Sequence, residues 1–215
     1  LIISAIALAA LSEWVAKKGW ASAFLMRKWV HFSVSMLCVF AFSTGIDFRI
    51  LTAIGVLASG ILYLLVSSNK LLEVEGLERK SWGIVYFAVA FGFTAYTVYP
   101  KAPEIAIFTA LLVGISDPLA AVIGRYFPFL PLRLTDDRKT LSGSLAFAVS
   151  VPVIALFSDA LNSEPLFYPL DIQSGLFLLY TSIAFATVEM ISSRGSDNLS
   201  LTIYATAILW TFTHT

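Results

Sequence analysis

From Glu104 to Gly124 the chain reads EIAIFTALLVGISDPLAAVIG, apolar over about the 20 helical residues that cross a hydrocarbon core. Similar runs occupy Leu1 to Ala16, Trp29 to Ile46, Ile50 to Ser67, Ser81 to Tyr99, Leu141 to Ser158, Ser174 to Ser193 and Leu199 to Phe212. Each is continuously apolar for about four or five turns, whereas barrel strands alternate over about ten residues. Lipid leaves backbone groups no water to bond, so spanning segments are helices or closed barrels. The pattern predicts an all-α, polytopic transmembrane helical bundle of about seven to eight spans. Composition agrees: 58% of the 215 residues are apolar and 13% charged, about half the share of roughly 25% in a soluble domain. No linker, low-complexity tract or convincing repeat divides the sequence, so residues 1–215 read as one domain. The first run lacks a small-residue cleavage site and is flanked by Trp14 and Lys17, which favours a membrane helix, or the tail of a longer one, over a signal peptide. Cys38 is the single cysteine, which excludes an intramolecular disulfide and a cysteine-based metal cluster.

The net charge is zero, but the charges are unevenly placed. Numbering the connections between runs, the odd ones hold Lys17, Lys18, Arg27, Lys28, Lys70, Arg79, Lys80, Arg125, Arg133, Arg138, Lys139 and Arg194. The even ones hold Arg49 and Lys101, so twelve of fourteen basic residues share one face. The positive-inside rule assigns that face to the cytoplasm. Trp14, Trp20, Trp29 and Trp82 flank odd connections as interfacial anchors.

The unusual polar residues gather on the same face. Pro118 has no N–H for the Gly114 carbonyl, so a broken or kinked helix is expected near Asp117-Pro118. Ser116 or Asp117 before proline also resembles a helix start. Free N–H groups at such a break suit phosphate, and Asp117 suits a divalent cation bridging phosphates. The simpler alternative is a structural kink whose aspartate pairs with Arg125 or another basic residue. In DRKTLSGS, Lys139 precedes a helix start where Thr140 or Ser142 can cap and Gly143 lets a ligand approach the backbone. The stretch is not a Walker A loop, and a basic interfacial anchor is its plainer reading. RKWVH places Arg27 and His31 on one helix face, although an interfacial histidine is usually structural. Glu78, Arg79 and Lys80 precede another run and could simply border lipid headgroups. Glu189 is isolated in an apolar run, which favours function. GSDN, with Asp197 and Asn198, is either a helix-capping turn or part of a site. Together these residues describe a site for an anionic ligand and a metal on the basic face.

RKWVH, ERKSWG, SDPLAAVIGR followed by KTLSGSLAF, and VEMISSRGSDNLSLTI resemble, in order, the motifs of the membrane kinase family that includes dolichol kinase, phytol kinase and the CTP-dependent diacylglycerol kinase. The resemblance runs from about Arg27 to Ile203, and the compact size is most like the phytol kinases. It implies transfer of the γ-phosphate of CTP to a membrane-embedded prenol at the cytoplasmic face, with Mg²⁺ or a similar cation and no nucleic-acid partner. On it, Asp117, Asp197 and Asn198 serve the metal-nucleotide end, with Asp117 and Asp197 as metal ligands. Arg125, Lys139, Thr140, Ser142, Gly143 and Ser144 hold phosphates, with Arg27, Glu78, Arg79 and Lys80 completing the nucleotide surface. Asp117, Glu189 and His31 are the candidates to accept the hydroxyl proton. Ser116 stands where the family usually has glycine. Alternatives of related chemistry are diacylglycerol phosphorylation and CTP-dependent cytidylyl transfer to a lipid. An anion transporter fits less well, because the even connections are poor in bases.

Overall fold

The computed structural model describes residues 2–68, 82–132, 139–168, 170–193 and 195–213. Eight helices form among them. These are α1 (Ile2–Lys17), α2 (Ala23–Ser43), α3 (Phe48–Ser67), α4 (Gly83–Thr97), α5 (Pro103–Tyr126), α6 (Leu141–Leu161), α7 (Ile172–Ile191) and α8 (Asp197–Thr213). A minimal antiparallel pair, β1 (Pro131–Leu132) with β2 (Lys139–Thr140), lies between α5 and α6. Local chemistry sets several starts. Ser22 caps α2 by accepting from Leu25 N, and Asp47 caps α3 through Arg49 N. Thr140 caps α6 through Gly143 N, while Asp171 and Ser174 form a reciprocal capping box on α7.

Five described helices are long and apolar enough to cross a membrane: α2, α3, α5, α6 and α7. The expected seven to eight spans are thus reduced. Helices α1, α4 and α8 have 16, 15 and 17 residues, and at about 1.5 Å per residue the longest reaches roughly 26 Å of a core about 30 Å thick. The apolar run Ser81 to Tyr99 is longer than α4 itself, whereas α1 and α8 are at least as long as the apolar runs in which they lie.

Helix α5 is the axis of the bundle. Helices α2, α6 and α8 pack around it, α7 joins α6 and α8, α4 joins α8, and α3 and α1 lie outside on α4 and α2. Ile105, Ala106, Phe108, Leu111 and Leu112 of α5 are fully buried. Toward the start of α5, the Phe108 ring meets Phe167 at 5.3 Å and, nearer the middle of the bundle, Phe185 at 6.4 Å. Phe167 is held there because Asp159 accepts hydrogen bonds from the Leu166 and Phe167 N–H groups, at 2.8 and 3.0 Å.

The expected break at Asp117-Pro118 takes another form. Helix α5 continues through the proline, with a π-helical turn over Leu112–Ser116. In that register the carbonyl of Val113 faces position 118, whose nitrogen carries no hydrogen. A widened turn thus absorbs the missing donor without exposing a helix end, so the free N–H groups expected at a break do not arise.

Small residues allow the closest helix crossings, as in other membrane bundles. A Cβ on Gly55 of α3 would stand 2.5 Å from the Cα of Gly92 on α4, and one on Gly114 would stand 2.2 Å from Cβ of Ser35 on α2. Gly55→Leu should lower stability by about 1–3 kcal/mol through overpacking, whereas Gly60→Leu on the same helix, with open space around it, should not. Thermal unfolding of the two purified variants in one detergent measures the difference, and equal midpoints would contradict this packing.

Candidate functional site

The polar clusters converge because alternate helices begin and end at one end of the bundle. The start of α2, the distal half of α5, β2, the last turn of α7 and the first turn of α8 all lie there. Lys28 of α2 reaches Asp117 of α5, with Nζ 2.9 Å from Oδ2. Asp117 is buried and Lys28 mostly so, with side-chain exposures of 6% and 25%. His31, one turn further along α2, has Nε2 3.1 Å from the Val113 carbonyl and 4.0 Å from the same Asp117 oxygen. The carbonyl can only accept, so this contact places a proton on Nε2. The edge of the Phe87 ring packs against the imidazole at 5.1 Å.

A second cluster stands beside the first. The Lys139 ammonium bonds the Glu189 carboxylate and lies 3.7 Å from Asp197 Oδ2. Burial draws the Lys139 amine toward neutrality, but Glu189, Asp197 and Asp117 outweigh it and hold the amine above its ordinary value. Asp197, at the start of α8, is pushed up to about 6 by burial and by the Asp117 charge, against the pull of Lys139 and Lys28. Next to it, Asn198 is buried and donates from Nδ2 to the Gly83 carbonyl at 3.0 Å, while its Oδ1 has no partner among the described residues.

The residues expected to hold phosphate are arranged differently from the expectation. Leu141 N donates to the carbonyls of Phe129 and Leu130, Ser142 N to Phe129 O, and Gly143 N to Thr140 Oγ1. Ser142 Oγ accepts from Phe129 N at 3.2 Å. The first turn of α6 is therefore satisfied within the chain. What approaches Gly143 closely is α5: a Cβ there would stand 2.8 Å from the Ala120 carbonyl. Ser144 Oγ, buried one residue further on, has no partner among the described residues. Arg125 does not pair with Asp117; its guanidinium lies 4.2 Å from the centre of the Phe24 ring. Arg27 is exposed on α2. Glu78, Arg79 and Lys80 lie outside the described residues, as do Arg133, Arg138 and Arg194.

The structure brings together Asp117, His31, Lys139, Glu189, Asp197 and Asn198 from the expected set and adds Lys28. Sequence reading passed over Lys28 in favour of Arg27 because four-residue spacing was used to pair Arg27 with His31. Three-residue spacing puts Lys28 on the same face as His31 just as well. A divalent cation fits the donor set in kind. Asp117 and Asp197 offer carboxylate oxygens, the Asp117 charge helps to raise Asp197, and Asn198 Oδ1 is a buried acceptor without a partner among the described residues. No cluster of three histidine, cysteine, aspartate or glutamate residues able to hold a metal occurs among the described residues.

Comparison with known proteins gives one relationship. The chain is 24% identical over 185 residues to the phytol kinase of Synechocystis sp. (strain ATCC 27184 / PCC 6803 / Kazusa), an alignment covering 86% of this chain and 77% of that protein. It is a distant homologue of that protein. No family model and no solved structure matches the chain.

The Lys28–Asp117 pair should be structurally costly to break from one side. Lys28→Met leaves a buried carboxylate without its counter-charge, and such losses run to about 3–5 kcal/mol. The double variant Lys28→Met/Asp117→Asn removes both charges and should recover most of that. Unfolding of the two variants in detergent checks the coupling; a double variant no more stable than the single one would refute it.

Proposed function

We propose that this protein is a CTP-dependent prenol kinase, moving the γ-phosphoryl group of CTP onto the hydroxyl of a membrane-embedded isoprenoid alcohol at the cytoplasmic face. The observation that carries the proposal is the meeting of Lys28–Asp117 with Lys139–Glu189–Asp197 at the base-rich end of an apolar bundle. Kinship with phytol kinase supports the acceptor class. Phosphoryl transfer asks a protein mainly for positioning and charge neutralisation, which this set of groups is suited to supply.

In the proposed reaction the acceptor oxygen forms a bond to the γ-phosphorus as the bond to the β–γ bridging oxygen breaks, giving a lipid monophosphate and CDP. The acceptor's hydroxyl proton passes to a carboxylate, Asp117 or Glu189, with His31 near Asp117 as a third candidate. Lys28 and Lys139, which neutralise these carboxylates in the structure, turn to the phosphate oxygens when the nucleotide arrives. Asp117 and Asp197 would hold the divalent cation with Asn198 Oδ1 beside them, and the cation would neutralise charge on the transferred phosphate. Arg125, Arg27 and the exposed rim of the same end lie where the nucleotide would approach from water.

Purified protein given γ-labelled CTP, Mg²⁺ and phytol should yield labelled lipid monophosphate and CDP. A CDP-lipid with pyrophosphate would instead identify cytidylyl transfer. Asp117→Asn keeps the shape and removes the charge, and it should lower turnover by about 10²-fold or more while the protein stays monodisperse. Wild-type turnover in that variant would make Asp117 a purely structural residue. The face is tested separately with cysteines introduced at Lys18 and at Glu164, both exposed and at opposite ends of the bundle, in a Cys38→Ser background. A membrane-impermeant thiol reagent added to intact cells should label the Glu164 position and spare the Lys18 position; the reverse pattern would put the site outside the cytoplasm.

A further inference from the structure

Below the polar site lies a crevice between α2 and α4. Cys38 and Phe42 of α2 form one wall, Phe87 and Phe91 of α4 the other, and Thr109 and Val113 of α5 the floor. Ring pairs bridge the walls, with Phe42 against Phe91 at 5.3 Å and His31 against Phe87 at 5.1 Å. Its volume is about 30 Å³, room for little more than one water, so a longer ligand enters only if the surrounding side chains move. Two features distinguish it from ordinary helix packing. Its upper end is the site itself, because Val113 offers its carbonyl to His31 and Phe87 packs on the same imidazole. It also points inward: from His31, which touches its upper end, α2 runs past the lining residue Cys38 to Phe42, about 16 Å at 1.5 Å per residue.

We propose that this crevice is the binding site for the apolar tail of the acceptor, reached sideways from the bilayer when the rings of Phe42 and Phe91 part. The assignment of the occupant rests on the kinase reading. A lipid alcohol lying there would point its chain toward the membrane midplane along α2 and hold its hydroxyl beside Asp117 and His31, which is the orientation the transfer requires. The walls match a branched hydrocarbon: they are aromatic and aliphatic, and the Cys38 thiol is buried among them. Phosphate contacts would then be made at the charged end and chain contacts in the crevice, so the two substrates would use separate surfaces.

Cys38, the single cysteine of the chain, reports on the crevice without reference to activity. Unmodified protein in lipid nanodiscs is treated with N-ethylmaleimide, alone, with phytol, or with CTP and Mg²⁺. Phytol should slow Cys38 alkylation at least about fivefold and CTP should leave it unchanged; an equal rate with and without phytol would overturn the assignment. Independently, Ala110→Leu fills the floor of the crevice and should raise KM for phytol about tenfold, the scale on which apolar pockets discriminate, with KM for CTP unchanged. An unaltered KM for phytol would also overturn it. Absence of phosphoryl transfer to any alcohol would count against the kinase reading, while the alkylation rates would still judge the crevice.

Discussion

The cost of placing charge inside an apolar bundle governs this structure. An isolated carboxylate there is expensive, and a lysine beside it lowers the cost when its geometry is good. Asp117 is met by Lys28, and Glu189 by Lys139. These pairs tie α2 to α5 and β2 to α7, so the helices carrying the site are drawn together at one end by the same groups that are proposed to act on the substrate. Replacing the pairs with apolar residues would leave a bundle that packs at least as well but has no site.

The π turn over Leu112–Ser116 belongs to the same economy of groups. Proline at 118 leaves the Val113 carbonyl without its helical donor in that register, and His31 supplies a replacement from the neighbouring helix. The close approach of Gly114 to Ser35 keeps α2 near enough for that contact. Backbone irregularity, a glycine and a histidine thus form one arrangement, and it fixes the imidazole beside Asp117.

Much of this was legible in the sequence. Continuous apolar runs announced helices, the Asp117-Pro118 pair marked the irregular helix, Thr140 was identifiable as a cap, and Glu189 stood out as an acid with no local partner. What was hidden required knowing which helices touch. Glu189 finds Lys139 fifty residues away, and nothing near either residue specifies that meeting. Lys28 was overlooked because a helix face admits both three- and four-residue spacings, and the facing element decides between them. The number of spans was overestimated because hydropathy measures how apolar a run is, whereas crossing also depends on helix length, and the run Ser81 to Tyr99 holds a helix of 15 residues. The start of α6 looked open to a ligand because its residue types suit phosphate, yet the turn at Phe129 and Leu130 folds back and takes its first N–H groups.

The ring cluster around Phe108 has an electrostatic consequence. Phe108 and Phe185 are wholly buried and Phe167 is 2% exposed, so packed rings run from the start of α5 toward the middle of the bundle. These rings separate the buried lysines and carboxylates of the site from the start of α5, so an ion entering there would give up its water without meeting a counter-charge.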